Sequence, residues 1–193
     1  MAEPNPMDAE KLSGPVLALL AADDPEDYFD RQQRHLGAQV WRSPADVDDT
    51  AWLTAAREAL SETGQGHPVH VIAGAAMAAR ALRLVADQPV ATSSLQLVDP
   101  DLDTNDPTLR DTMSLVETPT LVVVAAPDRA TTFAKAQSIA GGVPNGVMVI
   151  IDDQQPPAHR TSPEAFNEWV TAFMHIAEGL YDMRSQSNEG VDQ

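Results

Sequence analysis

The chain has 193 residues and a formal net charge of −17 at pH 7, with 43% hydrophobic and 21% charged residues. This composition is typical of one soluble globular domain, and the negative charge argues against nucleic acid as a partner. The absence of cysteine excludes disulfides, thiolate metal sites and a cysteine nucleophile. No run approaches the ~20 apolar residues of a membrane span, and the N-terminus lacks a signal-peptide pattern, so we expect a cytoplasmic protein without membrane partners.

Short apolar segments bounded by turn residues predict six β-strands. They are Val16–Ala21, Ala38–Trp41, Val69–Ala73, Ser94–Val98, Thr120–Ala125 and Val147–Ile151. Helices are predicted between and after them, at Glu26–Leu36, Thr50–Leu60, Ala75–Ala86, Thr131–Ala140 and from Pro163 onward. This alternation predicts an α/β fold with a doubly wound, mainly parallel sheet of about six strands and helices on both faces. A ligand site is then expected at the carboxyl ends of the strands.

The domain boundaries are predicted from what each segment can bury. A single domain is expected over residues 14–182. Residues 1–13 and 183–193 offer little apolar surface, so both are predicted to be flexible tails. N-terminal caps are also predicted for two helices. Asp48 or Asp49 caps the second helix, and Ser162 caps the last one.

The segment from Val69 to Arg80 runs from a predicted strand through a small-residue turn into a predicted helix. It resembles the strand–elbow–helix of the α/β-hydrolase family, where Gly-x-Ser-x-Gly places a nucleophilic serine on a sharp turn. Here the motif reads Gly74-Ala75-Ala76-Met77-Ala78, so the resemblance places Ala76 at the nucleophile position. A methyl group cannot attack a carbonyl, and serine-hydrolase chemistry is therefore not expected. In an unrelated fold, Ala76 would be an ordinary alanine at a helix start.

The backbone at Ala76 offers a structural test. The family's elbow holds its nucleophile at positive φ, which costs about 1–3 kcal/mol in a residue other than glycine. Because an alanine has no nucleophile to position, we predict that Ala76 has relaxed from this conformation.

Later segments match the family in order. Leu95–Pro100 resembles the next strand and its exit, and Thr118–Val124 resembles the strand that leads to the family's acidic residue. Pro157–Phe166 resembles the histidine loop and the final helix. The resemblance therefore implies Asp128 as the acid and His159 as the histidine, in the family's chain order.

The resemblance, which covers about residues 15–180, also shows departures from the family. Between Asp99 and Thr118 there is room for one short helix, where many members insert a lid. A lidless protein with an open or shallow pocket is expected. The family's two leading antiparallel strands are predicted to be absent.

The oxyanion region is altered as well. Leu20–Pro25 stands where the family usually offers His-Gly, with backbone N–H groups facing the developing anion. The resemblance places Ala22, Asp23 and Met77 in this former oxyanion region. The carboxylates of Asp23 and Asp24 would repel an oxyanion there.

Two interpretations of His159 and Asp128 remain open. They form a base–orienter pair that moves protons without a serine, or Asp128 closes a turn and His159 is a solvated loop residue. The other histidines have no metal-ligand spacing, so neither a metal nor a cofactor is expected.

The sequence favours a non-catalytic α/β-hydrolase-like protein that binds a protein or a ligand. Its charge favours a basic protein partner or a cationic ligand; the alternative is that the charge serves only to keep the protein soluble. One alternative is an enzyme that uses the His159–Asp128 pair as a general base. Another is a homo-oligomeric assembly protein whose lidless face is buried against a second subunit.

Overall fold

The structure, a computed structural model, describes residues 12–126 and 129–189. A six-stranded, fully parallel sheet forms its centre, in the order β2-β1-β3-β4-β5-β6. The strands are β1 (Val16–Leu20), β2 (Gln39–Arg42), β3 (Val69–Ala73), β4 (Thr92–Val98), β5 (Thr120–Ala126) and β6 (Gly146–Asp152). The predicted doubly wound sheet and all six strands are confirmed.

Helices cover both faces of the sheet. They are α1 (Asp30–Leu36), α2 (Asp49–Gly64), α3 (Ala78–Asp87), α4 (Pro107–Ser114), α5 (Arg129–Gly142), α6 (Ala158–Thr161) and α7 (Pro163–Glu189). α2, α3, α4 and α5 pack on one face, whereas α1, α6 and α7 pack on the other. Every residue of β1, β3, β4 and β5 is buried, as expected for parallel strands covered on both sides.

The second helix shows how the sequence sets a helix start. The Asp48 carboxylate accepts hydrogen bonds from the N–H groups of Thr50 and Ala51, at 2.9 and 2.8 Å. These donors have no partner within the helix, and an Asp side chain replaces water at such a position. Asp48 and Asp49 were the two candidates for this cap, and Asp48 is therefore the residue that caps the helix.

The first helix begins later than the sequence predicts. Residues 26–29 form turns instead, in which Tyr28 N–H donates to the Pro25 carbonyl and Asp30 N–H donates to the Asp27 carbonyl. The prediction of a helix from Glu26 was wrong because these tight turns replace its first helical turn.

Some residues of the predicted tails have regular structure or contacts with the domain. Ser13 N–H donates to Glu178 Oε1 at 2.7 Å, so this residue is tied to α7. α7 continues to Glu189 rather than ending near residue 182. Adding a residue to an existing helix costs little, and no glycine or proline follows Gly179 before Gly190. The rest of the predicted tails, residues 1–11 and 190–193, lies outside the described residues. No helix in the described part of the chain is long and apolar enough to cross a membrane.

The cap at α2 gives a stability prediction. We expect Asp48→Ala to lower the free energy of unfolding by about 1 kcal/mol, because two N–H groups lose their acceptor. Glu58→Ala, on the exposed side of the same helix, is the matched control and should change it by less than ~0.5 kcal/mol. Urea denaturation measures both, and equal losses would contradict the capping role.

Candidate functional site

The turn after β3 carries Ala76, which the resemblance places at the nucleophile position. Ala75–Met77 form one 3-10 turn that leads directly into α3. Ala76 is exposed and is not among the four non-glycine residues of the described chain with positive φ. As predicted, Ala76 does not adopt positive φ. Within this turn Met77 N–H donates to the Gly74 carbonyl at 3.0 Å, so the N–H that would face an oxyanion already has an acceptor.

The loop after β1, predicted as part of the former oxyanion region, is held by Asp24 within the loop and by Arg42 of β2. Asp24 Oδ2 accepts from Ala21 N–H at 2.9 Å. The Arg42 guanidinium donates to the carbonyls of Ala21, Ala22 and Asp24, at 3.1, 3.0 and 2.8 Å. Asp23 is exposed beside them. The Ala21 N–H is therefore occupied by an acceptor within the loop.

His159 lies in α6 and is completely buried. Its Nε2 is 2.9 Å from the backbone carbonyl oxygen of Tyr28. A carbonyl oxygen only accepts, so Nε2 carries the proton and Nδ1 carries the lone pair. Nδ1 is buried and has no hydrogen-bond partner among the described residues. The alternative of a solvated loop histidine is wrong. The pairing with Asp128 stays a prediction, because Asp128 lies outside the described residues.

The surroundings of His159 are aromatic. Its ring centroid lies 4.5 Å from that of Tyr28, 4.9 Å from that of Phe29 and 5.9 Å from that of Phe166. Burial among these rings lowers the pKa of His159 to about 4, with a smaller contribution in the same direction from the Arg160 charge. The imidazole is thus neutral at pH 7 and a weak base.

Tyr28 fills the space between the histidine and the turn after β3. A Cβ added to Gly74 would lie 3.1 Å from both Cε1 and the hydroxyl oxygen of Tyr28, so the ring lies against the glycine backbone. Burial, followed by the charges of Asp24 and Asp99, raises the pKa of Tyr28 to about 12. Tyr28 is therefore a neutral aromatic side chain packed at the carboxyl end of β3.

The sequence analysis did not single out Asp99, which connects β4, β5 and α6. Its Oδ1 accepts from Ala125 N–H at 2.7 Å and its Oδ2 accepts from Ala158 N–H at 2.6 Å. Its backbone adopts φ 44°, a conformation that Asp tolerates better than most residues. Burial raises its pKa. Its position directly after a buried strand was the available signal.

A second polar array went unrecognised at the opposite end of the sheet. His70 Nδ1 lies 2.7 Å from Ser94 Oγ, and its Nε2 lies 3.2 Å from Glu178 Oε1. The residue types match a Ser–His–acid triad, but Ser94 and His70 are both 0% exposed. Glu178 also accepts from the N–H groups of Ser13 and Gly14. This array therefore fastens the start of the domain to α7.

The described residues of the predicted site form no metal centre. Within the described part of the chain, no cluster of three His, Asp or Glu side chains could hold a metal ion. The molecule has surface cavities of about 360 to 970 Å³, and five of these have none of Ala76, Met77 or His159 in their walls.

The depressed pKa of His159 gives a pH prediction. Between pH 6.5 and about 4 the unfolded chain binds a proton at this histidine and the folded protein does not, so stability falls as the pH drops through this window. We expect His159→Phe to flatten that fall by up to about 1.4 kcal/mol per pH unit. Urea denaturation from pH 7 to pH 4.5 measures the slope. His35→Phe, at an exposed position, should leave it unchanged, and an unchanged slope in His159→Phe would contradict the assignment.

Comparison with known proteins identifies the fold. No protein-family model matches the sequence, and no curated protein matches it. Among solved structures, it is similar to Est1E from Butyrivibrio proteoclasticus, with 12% identity and a TM-score of 0.69 over 88% of this chain and 90% of that one. It is also similar to a serine hydrolase involved in carbazole degradation, with 12% identity and a TM-score of 0.69 over 84% of this chain and 91% of that one. A third similar structure is MGS-MChE2, an α/β hydrolase enzyme from a metagenome of lagoon sediments at Mar Chica, Morocco. Its sequence identity is 14% and its TM-score is 0.69, over 87% of this chain and 94% of that one. The chain therefore has the α/β-hydrolase fold.

Proposed function

We propose that the chain is a non-catalytic α/β-hydrolase-like protein, a pseudo-hydrolase that serves as a protein- or ligand-binding module. The observation that carries this proposal is the hydrogen bond from His159 Nε2 to the Tyr28 carbonyl oxygen. A hydrolase of this fold needs Nε2 to take a proton from its nucleophile. Here Nε2 already holds one, and the nucleophile position is Ala76.

Each further requirement of acyl transfer is also unmet at these positions. The Tyr28 ring packs against both Gly74 and His159, in the space where a substrate carbonyl would have to enter. The N–H groups of Ala21 and Met77 have acceptors within the protein. Preorganised donors supply about 3–4 kcal/mol of transition-state stabilisation when they are free, and occupied donors supply little of it.

Restoring the nucleophile is the direct test of this proposal. We expect Ala76→Ser to hydrolyse p-nitrophenyl acetate no faster than wild type, because the serine has no base in reach and sits on a relaxed turn. The matched control is Ala79→Ser, at the next exposed position after the turn. A stable acyl-enzyme, or a turnover gain of about 100-fold or more, comparable to what a positioned general base contributes, would contradict the proposal.

The wild-type chain supplies the complementary test. An activity of the wild type that is lost in His159→Ala would favour the alternative of an enzyme that works through the His159–Asp128 pair. No change of a confirmed activity in that variant would remove the alternative.

The proposed partner is a basic protein or a cationic ligand. The net charge is −17, and Asp23, Glu26 and Asp27 are exposed on the loop after β1. We expect affinity capture from the native host to retain the partner in 50 mM NaCl and to lose it in 500 mM, because salt screens exposed charges. Replacing Asp23, Glu26 and Asp27 by their amides should weaken capture, whereas Glu58→Gln and Glu62→Gln should not. Capture that is unaffected by salt would contradict this mode of binding.

A further inference from the structure

α7 carries an apolar stripe outside its buried face. Its members, spaced four, three and four residues apart, are Trp169, Phe173, Ile176 and Leu180. Trp169, Ile176 and Leu180 are 51%, 61% and 38% exposed. Alternating steps of three and four place side chains in one row along a helix. In a chain with 21% charged residues, an exposed row without a single charge is unusual for a solvated face.

The stripe faces the side of the molecule where β6 lies. The buried face of α7 contains Phe166, Val170 and Met174, and Asn167 on one side of that face bonds Gln32 of α1 at 3.0 Å. At 100° per residue, the stripe falls on the other side of the buried face. Phe173, the innermost member of the stripe, joins the same apolar cluster as Val149 of β6.

β6 is an edge strand of the described sheet. Among residues 12–126 and 129–189 it pairs only with β5, through seven residues. Its first six residues, Gly-Val-Met-Val-Ile-Ile, include no charge and no proline, and Val147 is 48% exposed. Monomeric proteins commonly protect such edges with short strands, charges or proline. The opposite edge strand, β2, has four residues and ends in Arg42.

We propose that a second copy of this chain covers the β6 flank, defined as Val147, Trp169, Phe173, Ile176 and Leu180, and forms a two-fold symmetric dimer. A two-fold axis presents each copy with an identical surface, so a patch that matches itself is sufficient. A helix stripe with this spacing fits another helix with the same spacing. A partner selected by charge has nothing to pair with, because no residue of the β6 flank is charged.

The size of the β6 flank fits a weak, reversible dimer. Its helical part is about 18 Å long, and β6 is about 23 Å long. Specific complexes typically bury about 800 Å² per partner, and a flank of these dimensions lies at or below that value. The expected dissociation constant is on the order of micromolar.

Salt distinguishes this dimer from the proposed basic partner. Two copies with a charge of −17 each repel one another, and added salt screens that repulsion. Dimerisation should therefore become stronger with salt, whereas binding of a basic partner becomes weaker. The dimer is independent of the chemistry at Ala76 and His159, so either proposal can fail without the other.

Sedimentation velocity of the full chain, from 1 to 500 µM in 50 and 500 mM NaCl, tests the proposal. We expect a reversible monomer–dimer equilibrium with the lower dissociation constant at high salt. Ile176→Glu and Val147→Glu should each raise the dissociation constant about tenfold or more, because each buries a charge at the centre of the contact. Leu115→Glu is the matched control, since Leu115 is 67% exposed on the opposite face, next to α2 and α3, and should have no effect.

Hydrogen exchange of the unmodified protein locates the contact without a variant that could misfold. The backbone amides of residues 146–152 and 169–180 should be more strongly protected from exchange at 500 µM than at 5 µM. A wild type that stays monomeric at 500 µM in both salt concentrations would overturn the proposal. So would a dimer that Leu115→Glu weakens as much as Ile176→Glu does, or one whose added protection lies outside the β6 flank.

Discussion

The hydrogen bond from His159 Nε2 to the Tyr28 carbonyl oxygen determines what the carboxyl end of this sheet can do. It fixes the imidazole tautomer, because a carbonyl can only accept. It also connects the turn before α1 to α6. Asp99 in turn joins α6 to the end of β5, because its carboxylate accepts from one backbone N–H of each element. Burial of the ring then keeps it neutral, with a pKa of about 4. Under the proposed function, the histidine is a packing residue that joins both halves of the chain.

The rest of the region is arranged consistently with that role. Tyr28 packs on Gly74, and Arg42 draws three carbonyls of the loop after β1 together. Interactions that stabilise a closed surface compete with those that would receive a substrate, since each backbone donor and each cavity can serve only one of them. The same fold can therefore be kept with its reactive end closed, because the sheet and its two helical layers depend on apolar burial and not on the site.

The sequence predicted the frame well for a physical reason. The buried runs of β3 and β5 and the cap of α2 are local signals, and local signals determine where elements begin and end. The site was harder. The resemblance marked Ala76 from the sequence because one residue decides whether a nucleophile is present, and this assignment stays a prediction. The partner of His159 is a backbone carbonyl 131 residues away. No residue type encodes such a contact. Asp99 and the Ser94–His70–Glu178 array were missed for the same reason, since their partners come together only in the folded protein.

Long-range ¹H–¹⁵N correlation spectra of the imidazoles would test the central claim most directly. The account predicts that at pH 7 His159 is neutral, with its proton on Nε2, and that it keeps this state until the pH approaches about 4. His159→Gln identifies the signal by its loss. A proton on Nδ1, or protonation near pH 6.5, would leave Nε2 able to act as a base and would contradict the account.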